Sequence, residues 1–303
     1  MWLFSRLTTS LSLILSGLIV AAVQAETIDA NSGDGFVALN RKIQCSLEDS
    51  SSQVFEWSGF GYSRVPGEPD RKIFGLLGMN IRQCGQVEDP DKGMGYRLVS
   101  REIMLYLDPQ TGEVLRTFNN PWTGEANEVI HVANDPVNQR PGFGINADGS
   151  EKAFTYRDVN GQYLINYEIP LFYKNAMGGD YQKYVGGSYH ATEIFDFNGD
   201  VAELLDATKP VAYPVISWVR LAPWLPWMEM NGRAGMLYFN AMGRKLESYD
   251  QLADLLKAEI AQQYPEYTTP PPLNDPRRNE TSWTFMKKII DSREQEESSA
   301  PQH

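Results

Sequence analysis

From Gln53 to Asn240 the chain falls into ten short runs of aromatic, β-branched and long apolar residues, each closed by a turn signal. This punctuation limits the fold more than any other feature. The runs cover residues 54–62, 72–82, 96–107, 113–119, 128–133, 153–157, 163–169, 189–197, 214–221 and 236–241. Asp108-Pro-Gln-Thr-Gly112 and Asp158-Val-Asn-Gly161 are turns between them, the latter with glycine available for positive φ. Tyr163, Ile165, Tyr167 and Ile169 occupy every second position, with Asn166 and Glu168 between them, the alternation of a strand with one buried side. About ten antiparallel strands joined by short turns form a sandwich or close on themselves, and closure removes exposed edges. The expected architecture is mainly β, a single antiparallel calycin-like (lipocalin-like) barrel over residues 53–270.

The period changes near the C-terminus. Ser248 with Gln251 makes a capping-box pattern, and Leu252, Leu255, Leu256 and Ile260 trace one helical face, which predicts a helix over 248–264. Thr268-Thr-Pro-Pro-Pro272 reads as an extended linker and 281–291 as a short amphipathic helix. The polar segment 292–303 is expected to be a disordered tail. Before the strands, 26–52 forms a separate N-terminal segment with a short helix around Phe36–Ile43.

Residues 1–25 carry one cation, Arg6, an apolar run at 11–20 and small residues at Val23 and Ala25, the pattern of a cleaved export signal. A retained anchor is the alternative, but the run is short for a bilayer. Export to the periplasm or medium is therefore expected, with no stable membrane insertion once the signal is removed. Of the 27 Lys and Arg, loss of Arg6 leaves 26 against 39 Asp and Glu, a surface that repels nucleic acid. The two cysteines, Cys45 and Cys84, either form a disulfide, as exported chains permit, or remain two buried thiols. Phosphate-binding glycine loops, dinucleotide fingerprints, nucleophile elbows and zinc-binding helices are missing from the sequence, and no cofactor is expected.

Four clusters carry polar chemistry. In the first, His131 stands near a strand end with Asn134 and Asp135 following; these either close a turn before Pro136 or orient the imidazole as a general base. The second is His190 with Glu193, which point to opposite faces of a strand and so converge on one ion only across a bulge; no metal is assigned. The third places Trp218, Arg220, Trp224 and Trp227 among prolines, where they either fill a core or line a cavity with a fixed cation. The fourth comprises Arg82, Arg97 and Arg101, which need acidic partners such as Glu102 or Glu128 if they face inward.

The blocks Trp57-Ser-Gly-Phe-Gly-Tyr, Leu105-Tyr-Leu-Asp-Pro-Gln-Thr-Gly, Asn120-Pro-Trp-Thr-Gly, His131-Val-Ala-Asn-Asp-Pro-Val-Asn and Ser217-Trp-Val-Arg resemble, in order, a bacterial exported family known as domain of unknown function number 1838. The likeness runs from about Val37 to Pro270. It implies an exported single domain and no activity.

Three functions fit these residues. One is a pocket for a small apolar or aromatic ligand, built from Arg82, Asn134, His190, Glu193, Trp218, Trp224 and Trp227. Another is a cofactor-independent lyase, isomerase or hydrolase with His131 as base, Asp135 as orienter and Arg220 as anion stabiliser. The third is an envelope protein that docks a partner through exposed Trp122, Trp224 and Trp227.

Overall fold

A computed structural model describes residues 26–177, 181 and 184–299; the expected export signal at 1–25 lies outside the described residues, as do 178–180, 182–183 and 300–303. Helix α1 (Gly33–Gln44) starts at Ser32, whose hydroxyl accepts the Gly35 amide. The strands are β1 (Gln53–Arg64), β2 (Arg71–Asp89), β3 (Gly93–Leu107), β4 (Thr117–Asn119), β5 (Ala126–Glu128), β6 (Val132–Asn134), β7 (Gly142–Phe143), β8 (Arg157–Val159), β9 (Gln162–Lys174), β10 (Ser188–Asp200), β11 (Val215–Ala222) and β12 (Met236–Leu246). Helix α2 (Val201–Leu205) follows β10, and α3 (Asp254–Gln263) and α4 (Ser282–Ser299) end the chain.

Apart from the β4–β5 hairpin, these strands form one antiparallel sheet in the order β6-β3-β2-β1-β12-β11-β10-β9-β8, with β7 also on β3. The expected barrel is not closed. The free side of β3 is already occupied: β7 pairs with Gly95 and Tyr96, the amides of Gln139 and Val137 bond the carbonyls of Leu98 and Ser100, and β6 covers Glu102–Met104. These bonds occupy the side of β3 that β9 would need to close the sheet. At the other edge, β8 pairs only with 162–164 of β9, whose later part holds Pro170, a residue without an amide donor.

The open sheet nevertheless curls. Met104, Tyr106 and Val132 meet Trp218, Arg220 and Ala222 around one small cavity, although β2, β1 and β12 separate β3 from β11 in the sheet. Period two sorts the side chains: Phe74, Leu76, Asn80 and Arg82 of β2 face inward, while Leu77, Met79 and Ile81 face outward. Trp57 lies against Gly78 on the neighbouring strand, where an added Cβ would sit 2.5 Å from the indole.

The interior has three levels. At one end Phe74, Tyr106, Phe118 and Trp227 pack ring against ring, closed by Trp283, Met286 and Ile290 of α4. At the other end α1 and α2 cover Tyr163, Ile165 and Phe197. Between them the inner face is polar. On the outer face α3 buries Leu256 and Ile260 against Met79, Ile81, Ile103 and Leu105.

Three expectations about termini change. The helix expected over 248–264 is split into a 3-10 turn, Tyr249–Gln251, and α3, because Gln251 accepts the amide of Glu247 while Glu56 accepts that of Ala253 (2.6 Å). The linker is docked rather than free: Gln83 donates to the Pro271 carbonyl (2.5 Å) and Arg101 to that of Thr269 (2.6 Å). The segment expected to be disordered from 292 continues α4 to Ser299. Cys45 and Cys84 are bonded, with Cα atoms 5.8 Å apart, which joins the end of α1 to β2. No helix among the described residues is long and apolar enough to cross a membrane.

Candidate ligand-binding trough

The polar level of the interior gathers side chains from six elements. Arg82 of β2 donates from Nε to Asn80 Oδ1 (2.7 Å) and from Nη1 to Gln44 Oε1 (2.6 Å) at the end of α1, and its guanidinium lies 4.4 Å from the Phe55 ring centroid. No carboxylate among the described residues lies within ion-pair distance of it. Glu102 of β3 accepts from Asn134 Nδ2 of β6 at 3.5 Å. Across the curl, Arg220 of β11 pairs with Glu193 of β10 (Nη1 to Oε1, 3.2 Å) and donates to the Tyr189 hydroxyl.

Arg82, Glu102, Glu193 and Arg220 are all partly exposed, so water reaches the trough. Tyr167 and Ile169 on the inner face of β9 are each 39 % exposed along the open side. Two polar atoms here are buried without a partner: Arg220 Nε and Asn134 Oδ1. Such orphans mark a place where a ligand or water completes the bonding.

Burial and the neighbouring Glu193 charge push the Glu102 carboxyl up to about 7, against the pull of Arg82, Arg220 and Asn134. Burial lowers Arg82 to about 10, with Glu102 as the opposing charge. Arg220 also loses hydration on burial, yet Glu193, Tyr189 and Tyr106 around it hold it above its ordinary value. The trough therefore keeps two guanidinium ions, one carboxylate already paired and one carboxyl poised near neutrality.

The sequence-predicted residues divide. Arg82, Asn134, Glu193 and Arg220 come together here, and Trp218 lies beside them, stacked on Phe239. Trp224 and Trp227 do not. They are 5 % and 4 % exposed, Trp224 donating to the Arg233 carbonyl and Trp227 in the aromatic core, so both serve as packed core rather than exposed surface. The enclosed space beside Trp218 and Arg220 is about 20 Å³, room for one water. His190 is exposed on the outer face of β10, edge-on to Phe172.

The proposed base, orienter and anion stabiliser are also not assembled. His131 is buried with Nδ1 accepting the backbone amide of Tyr106 (3.1 Å), prolonging the β3–β6 ladder where backbone pairing stops. Burial, then the Arg116 charge, lowers it to about 4, which suits an acceptor. Asp135 is held by Arg101 (3.0 Å) and by Arg277 (2.8 Å), so it anchors the C-terminal segment instead of the imidazole. Arg97 and Arg101 face outward, bonding carbonyls of the 266–275 segment.

Glu102, Asn80 and Gln44 are the site residues that sequence reasoning left out or named only as partners. The signal for Glu102 is its parity: Leu98, Ser100, Met104 and Tyr106 are buried at the same parity of β3, so a carboxyl at 102 interrupts an inward row. Among the described residues, no group of three or more His, Cys, Asp or Glu is placed to hold a metal ion. A second concavity, about 600 Å³, is an open bowl on the outer face by Ser58, Phe60, Met242 and the Asp108 turn. The Asp108 carboxylate already accepts the amides of Gln110 and Thr111.

A search of curated proteins finds no significant match. A family profile does match, over residues 50–290, and spans every trough residue except Gln44. The chain belongs to the family described as protein of unknown function, DUF1838.

Proposed function

We propose that this is an exported binding protein whose trough takes a small organic acid with a flat apolar body. The carboxylate docks on Arg82, and the body lies toward Tyr167, Ile169 and Trp218. The observation that carries the reading is Arg82: a partly exposed cation on the inner face, fixed in direction by two neutral acceptors, with no carboxylate among the described residues within ion-pair distance. An arginine so placed favours a carboxylate, whose two oxygens match its fork. The expected signal at 1–25 and the Cys45–Cys84 bond support an oxidising compartment.

Calorimetric titration with phenylacetate and with 2-phenylethanol tests the reading. The acid binds, the alcohol binds at least about tenfold more weakly, and Arg82→Gln removes the difference, as loss of about 1.4 kcal/mol or more requires. Equal binding of acid and alcohol, or an unchanged response in Arg82→Gln protein that melts at the wild-type temperature, overturns it.

A further inference from the structure

Resting on that reading, we propose that the trough is also catalytic: Glu102 moves a proton to and from the carbon beside the oxo group of a bound aromatic 2-oxo acid, with Arg220 stabilising the enolate. The geometry supplies the three parts this reaction needs. Arg82 anchors the carboxylate. Glu102 sits on the adjacent strand at the next inward position, its carboxyl accepting among the described residues only from the Asn134 side-chain amide. Arg220 lies near enough to act on the charge of Glu102, and its buried Nε has no acceptor among the described residues.

In the step, Glu102 as carboxylate takes the proton from the carbon. The C–H bond breaks and an O–H bond forms on Glu102, while the electron pair of the C–H bond moves toward the oxo carbon and its oxygen gains the negative charge. The positive charge of Arg220 stabilises that oxygen. Return of the proton to carbon restores the oxo acid, and delivery to oxygen gives the enol; either way atoms and charge balance without a cofactor. A fixed cation beside developing negative charge in a poorly hydrated site is a usual source of such stabilisation.

A carboxyl poised near 7 is well matched to taking and giving a proton at neutral pH. The groups facing it are Arg82 from β2, Glu193 from β10, Arg220 from β11, Asn134 from β6 and the Tyr106 phenol from its own strand. Glu193 raises it and the arginines lower it. Glu193 itself is engaged by Arg220, which leaves Glu102 as the proton carrier.

The test uses phenylpyruvate in D2O, followed by proton NMR, with saturation transfer reporting binding in the same sample. Wild-type protein is expected to exchange the CH2 protons above the buffer rate, with a rate that rises as pH passes about 7. Glu102→Gln should lower the protein-dependent rate by about 100-fold or more while binding persists. Arg220→Lys should slow it with binding retained, and His190→Ala, on the outer face, should leave it unchanged. Binding without exchange above buffer, or exchange that survives in folded Glu102→Gln or Glu102→Asp protein at the wild-type rate, overturns the catalytic proposal and leaves the binding reading standing. Absence of any saturation transfer overturns both.

Discussion

Replacing Glu102 by glutamine should stabilise the protein at alkaline pH and leave it nearly unchanged at acid pH. In the folded chain the carboxyl is pushed from 4.5 to about 7 by burial and by Glu193. Below pH 4.5 it is protonated in both folded and unfolded states, so it contributes no penalty. As pH rises through the unfolded value, only the unfolded chain ionises, and folding loses stability until the folded carboxyl also ionises near 7. At about 1.4 kcal/mol per pH unit this amounts to roughly 3 kcal/mol, cut to about 2 by the partial exposure of the side chain. Glutamine keeps the shape of the protonated acid and cannot ionise. Urea unfolding of both proteins at pH 4 and pH 8 therefore gives a difference that grows by about 2 kcal/mol in favour of Glu102→Gln. A difference that stays flat across that range, or grows in favour of wild type, refutes the reasoning, because it places Glu102 where its charge costs nothing.

Lys245 is buried and donates to the carbonyls of Lys42, Ile43 and Cys45 at the end of α1, so Lys245→Met should cost about 2–4 kcal/mol by chemical denaturation; a neutral result would mean those carbonyls find other donors. His131 must stay neutral to accept the Tyr106 amide, and with its value lowered from 6.5 to about 4 the stability it lends is complete above 6.5 and drains as pH falls toward 4. Nitrogen-15 NMR of the ring at pH 5.5 should show the neutral form, and a protonated ring would contradict the buried-acceptor assignment. Reducing Cys45–Cys84, separated by 39 positions, should lower stability by about 4 kcal/mol, read as a shift of the unfolding midpoint with and without reductant. Thiol titration of unfolded, unreduced protein should find no free thiol.

The long strands were legible because each carries its own evidence, whereas the runs expected at 113–119 and 153–157 are strand only from Thr117 and Arg157 onward and the run at 128–133 is broken between β5 and β6. Tyr163, Ile165, Tyr167 and Ile169 recur at every second position, and the structure buries Tyr163 and Ile165 on β9 while Tyr167 and Ile169 are each 39 % exposed. Closure was not legible, because it depends on whether the edge of β3 is free, and the residues that occupy it, Val137 and Gln139, arrive from a loop with no strand pattern. The same limit applies to the docked linker and to α4: their place is set by Arg101 on the Glu266 and Thr269 carbonyls and by Arg277 on Asp135, contacts between segments more than 100 residues apart. At the site, the acidic partner expected for an inward arginine is not an ion pair: the side-chain acceptors of Arg82 are Asn80 and Gln44, and Glu102 acts on it only as a nearby charge. The histidine did not point to chemistry. A lone imidazole reads alike as a base or as a backbone acceptor until its neighbours are known, and here the Tyr106 amide decides it.

Helix α1 has a practical consequence for handling the protein. The family match begins at residue 50, beyond α1, yet this helix supplies Gln44 to Arg82, Cys45 to Cys84 and the carbonyls that hold Lys245. A fragment trimmed to the family boundary would carry one unpaired thiol on β2 and a stranded ammonium on β12. Such a fragment should cross-link through Cys84 in air and bind anions loosely, so measurements on it would report the amputation rather than the trough.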